Sequence, residues 1–139
     1  MLTGVSLLVL EDDPDTLHMF ARSLAKAGAE VRTAATAEAA LAILATWRPS
    51  VVLCDLHLPA VDGYDFLARV RETAGLRDLP VIAISASHPA AERALEAGFA
   101  AHLVKPTRLA EIIEVISTLT RKQPDEVLSS PGCSRHTIA

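Results

Sequence analysis

Aromatic residues are scarce: one Trp, one Tyr and three Phe make up 4% of the 139 positions. A core must therefore be aliphatic, packed from Ala, Val, Ile and Leu, and the 50% hydrophobic share is enough to build one. Cysteine is almost absent. Cys54 lies in an apolar run, Cys133 in a polar stretch, and no CxxC occurs, so neither a disulfide framework nor a thiolate metal site is expected. Cys54 reads as a small buried hydrophobe. The five histidines (His18, His57, His88, His102, His136) show no metal-type spacing. There is no excess of positive charge. A net charge of −4 excludes a general nucleic-acid binder held by a basic patch. No apolar run approaches the roughly 20 residues that span a bilayer. Leu2 to Leu10 is apolar, but no Lys or Arg precedes it and Glu11-Asp12-Asp13 follows at once, so it reads as a buried strand and not a signal peptide. A cytoplasmic location, with no membrane partner, is the default expectation. The length fits one domain and leaves no room for a separate output domain of about 50 residues or more.

What is present is an alternation of two patterns. Short continuous apolar runs occur at Val5 to Leu10, Val51 to Cys54 and Val81 to Ile84, with further short strands at Glu30 to Ala34 and Ala100 to Val104. Between them lie helical segments. Pro14 to Ala27 has Asp13 as N-cap, Leu17, Phe20 and Leu24 at helical spacing, and Gly28 as the stop. Thr36 to Trp47 is Ala-rich, Gly63 to Thr73 places Phe66, Leu67 and Val70 inward, and Pro89 to Ala97 ends at Gly98. Thr107 caps a last helix whose stripe reads Leu109, Ile112, Ile113, Ile116 and Leu119. This is βα repeated five times: an α/β, doubly wound (βα)5 chain with a five-stranded parallel sheet and helices on both faces. Continuous apolar strands suit a sheet covered on both sides. The organised part is expected over 3–121, with 122–139 as a flexible polar tail.

In open parallel sheets, sites form outside the carboxyl ends of the strands. There stand Glu11, Asp12 and Asp13 after the first strand, Asp55 after the third, Ser85 after the fourth and Lys105-Pro106 after the fifth. Any one of these could be a solvated loop polar. Acids, a hydroxyl and a lysine converging on one edge point to a site. Carboxylates a few ångströms apart repel one another and call for a divalent cation, and oxygen ligands without a thiol select a hard ion such as Mg²⁺. A carboxylate beside such an ion and an ammonium can act as nucleophile toward phosphorus, leaving an acyl phosphate on the protein.

The segments LLVLEDD, VVLCDLHLPAVDGYDF, VIAISAS and HLVKP, in this order and with Asp55 30 residues before Ser85 and 50 before Lys105, resemble the receiver domains of two-component response regulators. The string AGFAA before HLVKP is closest in character to single-domain receivers or those that work with hybrid histidine kinases. The resemblance implies a flavodoxin-like strand order 2-1-3-4-5. It implies Asp55 as phosphoacceptor and Mg²⁺ held by Glu11, Asp12, Asp55 and the backbone carbonyl of His57. It implies Ser85, with Ala86 beside it, and Lys105, followed by Pro106 after a cis bond, as the phosphoryl-binding and switch residues. His57 and Ser87 stand where the family tunes loss of the phosphoryl group. Asp62-Gly63 completes the loop before the third helix, where Gly63 is expected to serve backbone conformation. His102 departs from the family pattern, which often has Tyr or Phe three residues before the lysine. It is either part of the switch or a partly exposed edge-strand histidine.

The partners implied are a sensor histidine kinase or histidine phosphotransfer protein, and a second copy or an effector protein at the surface of the fourth helix, fifth strand and fifth helix. A stand-alone relay and a receiver cut from a larger kinase or regulator both fit the length. Three other readings compete with a receiver. A Mg²⁺-dependent phosphohydrolase with an aspartyl nucleophile would place a second acid two residues after the first, where His57 stands. A nucleotide-binding domain would need a glycine-rich turn where the acids are. A non-phosphorylated, receiver-like interaction domain would not need all the key positions filled.

Overall fold

The computed structural model describes residues 2–58, 61–86, 90–120 and 137–138. Ser87, Pro89, Cys133 and the stretch 121–136 lie outside the described residues. The strands are β1 (Ser6–Leu10), β2 (Glu30–Ala34), β3 (Val51–Asp55), β4 (Val81–Ser85) and β5 (Ala101–Val104). The helices are α1 (Pro14–Lys26), α2 (Ala37–Leu44), α3 (Gly63–Glu72), α4 (Ala90–Ala97) and α5 (Leu109–Thr120). The five strands pair in parallel in the order β2-β1-β3-β4-β5, as expected. A sixth strand, β6 (Thr137–Ile138), pairs antiparallel with β5. It falls within the stretch read from the sequence as tail.

Period-2 alternation divides the core between the two faces of the sheet. Leu8, Leu10, Val52, Cys54, Val81 and Ala83 pack with Phe66, Leu67 and Val70 of α3, and with residues of α2 and α4. Leu7, Val9, Val51, Leu53, Ile82, Ile84, Ala101 and Leu103 pack with Phe20 and Leu24 of α1, and with Ile112, Val115 and Ile116 of α5. The parity places Ser85 on the face of Val81 and Ala83, and His102 on the face opposite Ala101 and Leu103. Both therefore point to the α3 side.

Two helices differ from their sequence reading. On α5 the buried stripe is Ile112, Val115 and Ile116, while Leu109 is 40% exposed. Leu109 sits in the first turn of α5, so helical spacing alone overextends the buried stripe by one turn. Helix α2 ends at Leu44 and not at Trp47. The Thr46 amide turns back to the Ile43 carbonyl over three residues, and Pro49 disfavours helical backbone at Arg48.

Asp13 caps α1 through the Thr16 amide, and Asp62 caps α3 through the Asp65 amide at 3.0 Å. Gly63 is not a positive-φ position, contrary to the expectation of a conformational role. Close approach requires it. A Cβ there would lie 2.9 Å from Leu56 Cα and 3.0 Å from the Asp55 carbonyl oxygen, both backbone atoms. Gly63 thus lets the start of α3 rest on the end of β3. Gly63→Ala is expected to destabilise the fold by about 1–3 kcal/mol, read as a lower urea midpoint, because backbone must shift to admit the methyl.

Candidate functional site

The carboxyl ends of β1, β3 and β5 bring together Glu11, Asp12, Asp55 and Lys105 from among the strand-end residues singled out from the sequence. Glu11, 2% exposed, follows β1 and is fixed by its amide donating to the Ala34 carbonyl. Its Oε2 accepts the Asp13 amide at 3.1 Å. Asp55, the last residue of β3, is 5% exposed, and its Oδ1 accepts the His57 amide at 3.0 Å. Lys105 spans the two acids. Its Nζ donates to Glu11 Oε1 at 3.1 Å and to Asp55 Oδ2 at 3.3 Å. The Lys105 main chain is anchored by its amide on the Ser85 carbonyl at 2.8 Å, and the Lys105-Pro106 bond is cis, as the resemblance implied.

Asp12 is exposed at the rim. Glu11, Asp12 and Asp55 each present a carboxylate oxygen within 4.8 Å of the others. Three carboxylates face one ammonium, so the cluster carries excess negative charge with oxygen ligands alone. This donor set fits a hard divalent cation. The neighbouring thiol does not compete. Burial pushes the Cys54 thiol well above its usual range, and the charges of Asp55, Asp62 and Glu11 add to the effect, so it stays protonated.

The electrostatics record the crowding. Burial raises the Glu11 carboxyl above its ordinary 4.5, and the Asp55 charge adds to this; the Asp13 amide and Lys105 oppose the rise without cancelling it. Burial disfavours the Lys105 ammonium, but its bond to Glu11 and the charge of Asp55 outweigh that, and its pKa rises. Asp13 is held below its usual value by the hydroxyl and amide of Thr16, in keeping with a cap rather than a cluster member.

Ser85 is fully buried, and its Oγ lies 2.9 Å from His102 Nε2. His102 is 2% exposed, so the reading as a partly exposed edge histidine is corrected. No local pattern signals this bond, since it depends on the pairing of β4 with β5, which sets His102 opposite Ala83 and Val104 opposite Ser85. Ala86, the His57 side chain and Pro106 are exposed around the cluster.

The fold and this edge have close counterparts. Residues 7–117 match the response regulator receiver domain family. The chain belongs to that family and is a receiver domain of two-component signalling. It is 36% identical over 135 residues to the transcriptional regulatory protein PrrA of Mycobacterium leprae, covering 94% of this chain and 57% of that protein. This chain thus spans little more than half the length of that regulator. It is 35% identical over 117 residues to an uncharacterised 14.6 kDa protein of Leptolyngbya boryana, covering 83% of this chain and 89% of the relative. Among solved structures it is similar to the receiver domain of sensor histidine kinase PA1611 from Pseudomonas aeruginosa, with a TM-score of 0.80 and 27% identity over 86% of this chain and all of that one. That structure has a magnesium ion coordinated in its active-site cleft. No helix among the described residues is long and apolar enough to cross a membrane.

A raised carboxyl pKa has a definite consequence for stability. A folded pKa above the unfolded one means that the protonated form is favoured in the fold, so stability is lost as pH rises through the folded value. In metal-free buffer, Glu11→Gln is therefore expected to raise the urea midpoint at pH 7. The gain shrinks as pH falls through the raised folded value and is gone below the ordinary glutamate value of 4.5. Urea titrations of both chains at neutral and acid pH check this.

Proposed function

We propose that Asp55 is the phosphoacceptor of this receiver. It takes a phosphoryl group from a sensor histidine kinase or a histidine phosphotransfer protein in a Mg²⁺-dependent reaction, and loading changes the protein-binding surface of α4, β5 and α5. The observation that carries this is the placement of Asp55: buried, bonded to Lys105 Nζ, and within the three-carboxylate cluster. Glu11, Asp12, Asp55 and the His57 carbonyl would hold the ion, whose charge offsets that on the phosphoryl oxygens. A carboxylate oxygen of Asp55 attacks phosphorus, an O–P bond forms, and the P–N bond to the donor imidazole breaks, its electron pair leaving with the nitrogen. Lys105 then faces the phosphoryl oxygens and keeps its positive charge there. Ser85 supplies a hydroxyl to the same group from the end of β4, beside the exposed Ala86. Pro106 fixes the turn that follows Lys105. His57 and Ser87 tune loss of the phosphoryl group, and His102 takes part in the switch.

On this reading the chain acts on no external substrate beyond its phosphoryl donor. It works as a cytoplasmic relay with the receiver at 3–121 and a tail at 122–139, and its output goes to an effector protein or a second copy rather than to nucleic acid or membrane. Incubation with acetyl phosphate and Mg²⁺ tests the core of it. The parent should gain the mass of one phosphoryl group, sensitive to hydroxylamine, and Asp55→Asn should gain none. Continuous release of phosphate from small esters would instead identify a phosphohydrolase, and an unmodified parent would identify an interaction domain without phosphorylation.

The exposed His57 side chain lies two residues from Asp55, while its amide holds Asp55 Oδ1. His57→Ala keeps the amide and removes the ring. It is expected to change the half-life of the phosphorylated form several-fold, by a larger factor than the rate of formation. Time courses of loading and decay give both rates; a parent-like half-life would exclude the role.

A further inference from the structure

We propose that the outer edge of β5 is a strand-docking surface whose resting occupant is the chain's own segment Thr137–Ile138, and that docking there opposes phosphoryl loading through His102. The second half rests on the reading of Asp55 as phosphoacceptor.

The outermost parallel strand of an open sheet presents a row of main-chain donors and acceptors ready to pair with another segment. One edge of β5 is taken by β4. The other pairs antiparallel with β6, with Thr137 opposite His102 and Ile138 opposite Ala101. Two residues make few main-chain bonds, and each intramolecular bond adds only modestly to stability, so such an occupant can be exchanged.

His102 joins this edge to the site. Its main chain lies opposite Thr137, and its buried ring lies 2.9 Å from Ser85 Oγ. Movement of Ser85 toward a phosphoryl group on Asp55 breaks that contact and frees the β5 residue on which the segment rests. Coupling of this kind is reciprocal: if loading loosens the segment, the segment opposes loading by the same factor. The β5 edge is thus covered when the hydroxyl is held by His102, and open when it is not.

Amide hydrogen exchange, resolved by residue with NMR on the full chain, tests both halves. Thr137→Pro and Ile138→Pro each remove a main-chain donor from β6, and successive donors in a strand point to opposite edges, so at least one substitution strikes the pairing. Without any phosphoryl analogue, β5 amides from Ala101 to Leu103 are expected to exchange about tenfold faster in at least one variant, with β1 amides unchanged. Equal β5 protection in all three chains overturns the docking. So does a parent dimer by light scattering that the proline variants dissolve, since the segment would then belong to a second copy. Adding beryllofluoride and Mg²⁺ should speed β5 exchange in the parent toward the rate of the variant. Fluorine NMR reports independently whether the analogue binds. Binding without a change in β5 exchange overturns the coupling. Failure to bind overturns the reading of Asp55 and the coupling with it, while the docking stands or falls on the first measurement.

Discussion

One ammonium group between two buried carboxylates sets the terms for the carboxyl edge of this sheet. Glu11 and Asp55 come from neighbouring strands, and burial makes their mutual repulsion costly. Lys105 Nζ bonds both. The lysine follows β5, separated from β3 by β4, so it must reach across roughly 10 Å of sheet. Only a long side chain can do that. The strand order, the level ends of β1, β3 and β5, and the anchoring of the Lys105 amide on Ser85 all serve this crossing. A sheet with the same strands in another order would leave the acids without their counter-charge.

The counter-charge is incomplete, and that incompleteness is what makes the edge a site. One ammonium against three carboxylates leaves the cluster short of positive charge; the Glu11 carboxyl is raised first by its burial, and the Asp55 charge adds to that. A fully neutralised cluster would be more stable and would have no use for a cation. The receiver fold accepts a strained edge there while its two aliphatic faces, almost free of polar groups, hold the sheet rigid beneath it.

Much of this was legible in the sequence because it depends on residues close together in the chain. Continuous apolar runs marked β1, β3 and β4, and the acids, serine and lysine ending the strands marked the site. What was not legible depends on register between distant segments. The burial of His102 and its bond to Ser85 follow from how β4 lies against β5. The role of Gly63 follows from how closely α3 meets the end of β3, which no local rule about glycine conformation reveals. The overextended stripe on α5 has the same origin: helical spacing names a face, but the sheet below decides how many turns of it are covered. The pairing of Thr137–Ile138 is the extreme case, since a two-residue strand has no sequence signature of its own.

Cys54 precedes the proposed phosphoacceptor, with its sulfur 3.3 Å from the Asp55 carbonyl oxygen. It has no exposed surface, and its thiol is held protonated by burial and by the surrounding acids. Oxidants and alkylating agents act on accessible thiolates, and this sulfur is neither accessible nor ionised. The residue next to the proposed phosphoacceptor is therefore insulated from peroxide and from electrophiles, so oxidants in its surroundings leave the end of β3 chemically unchanged.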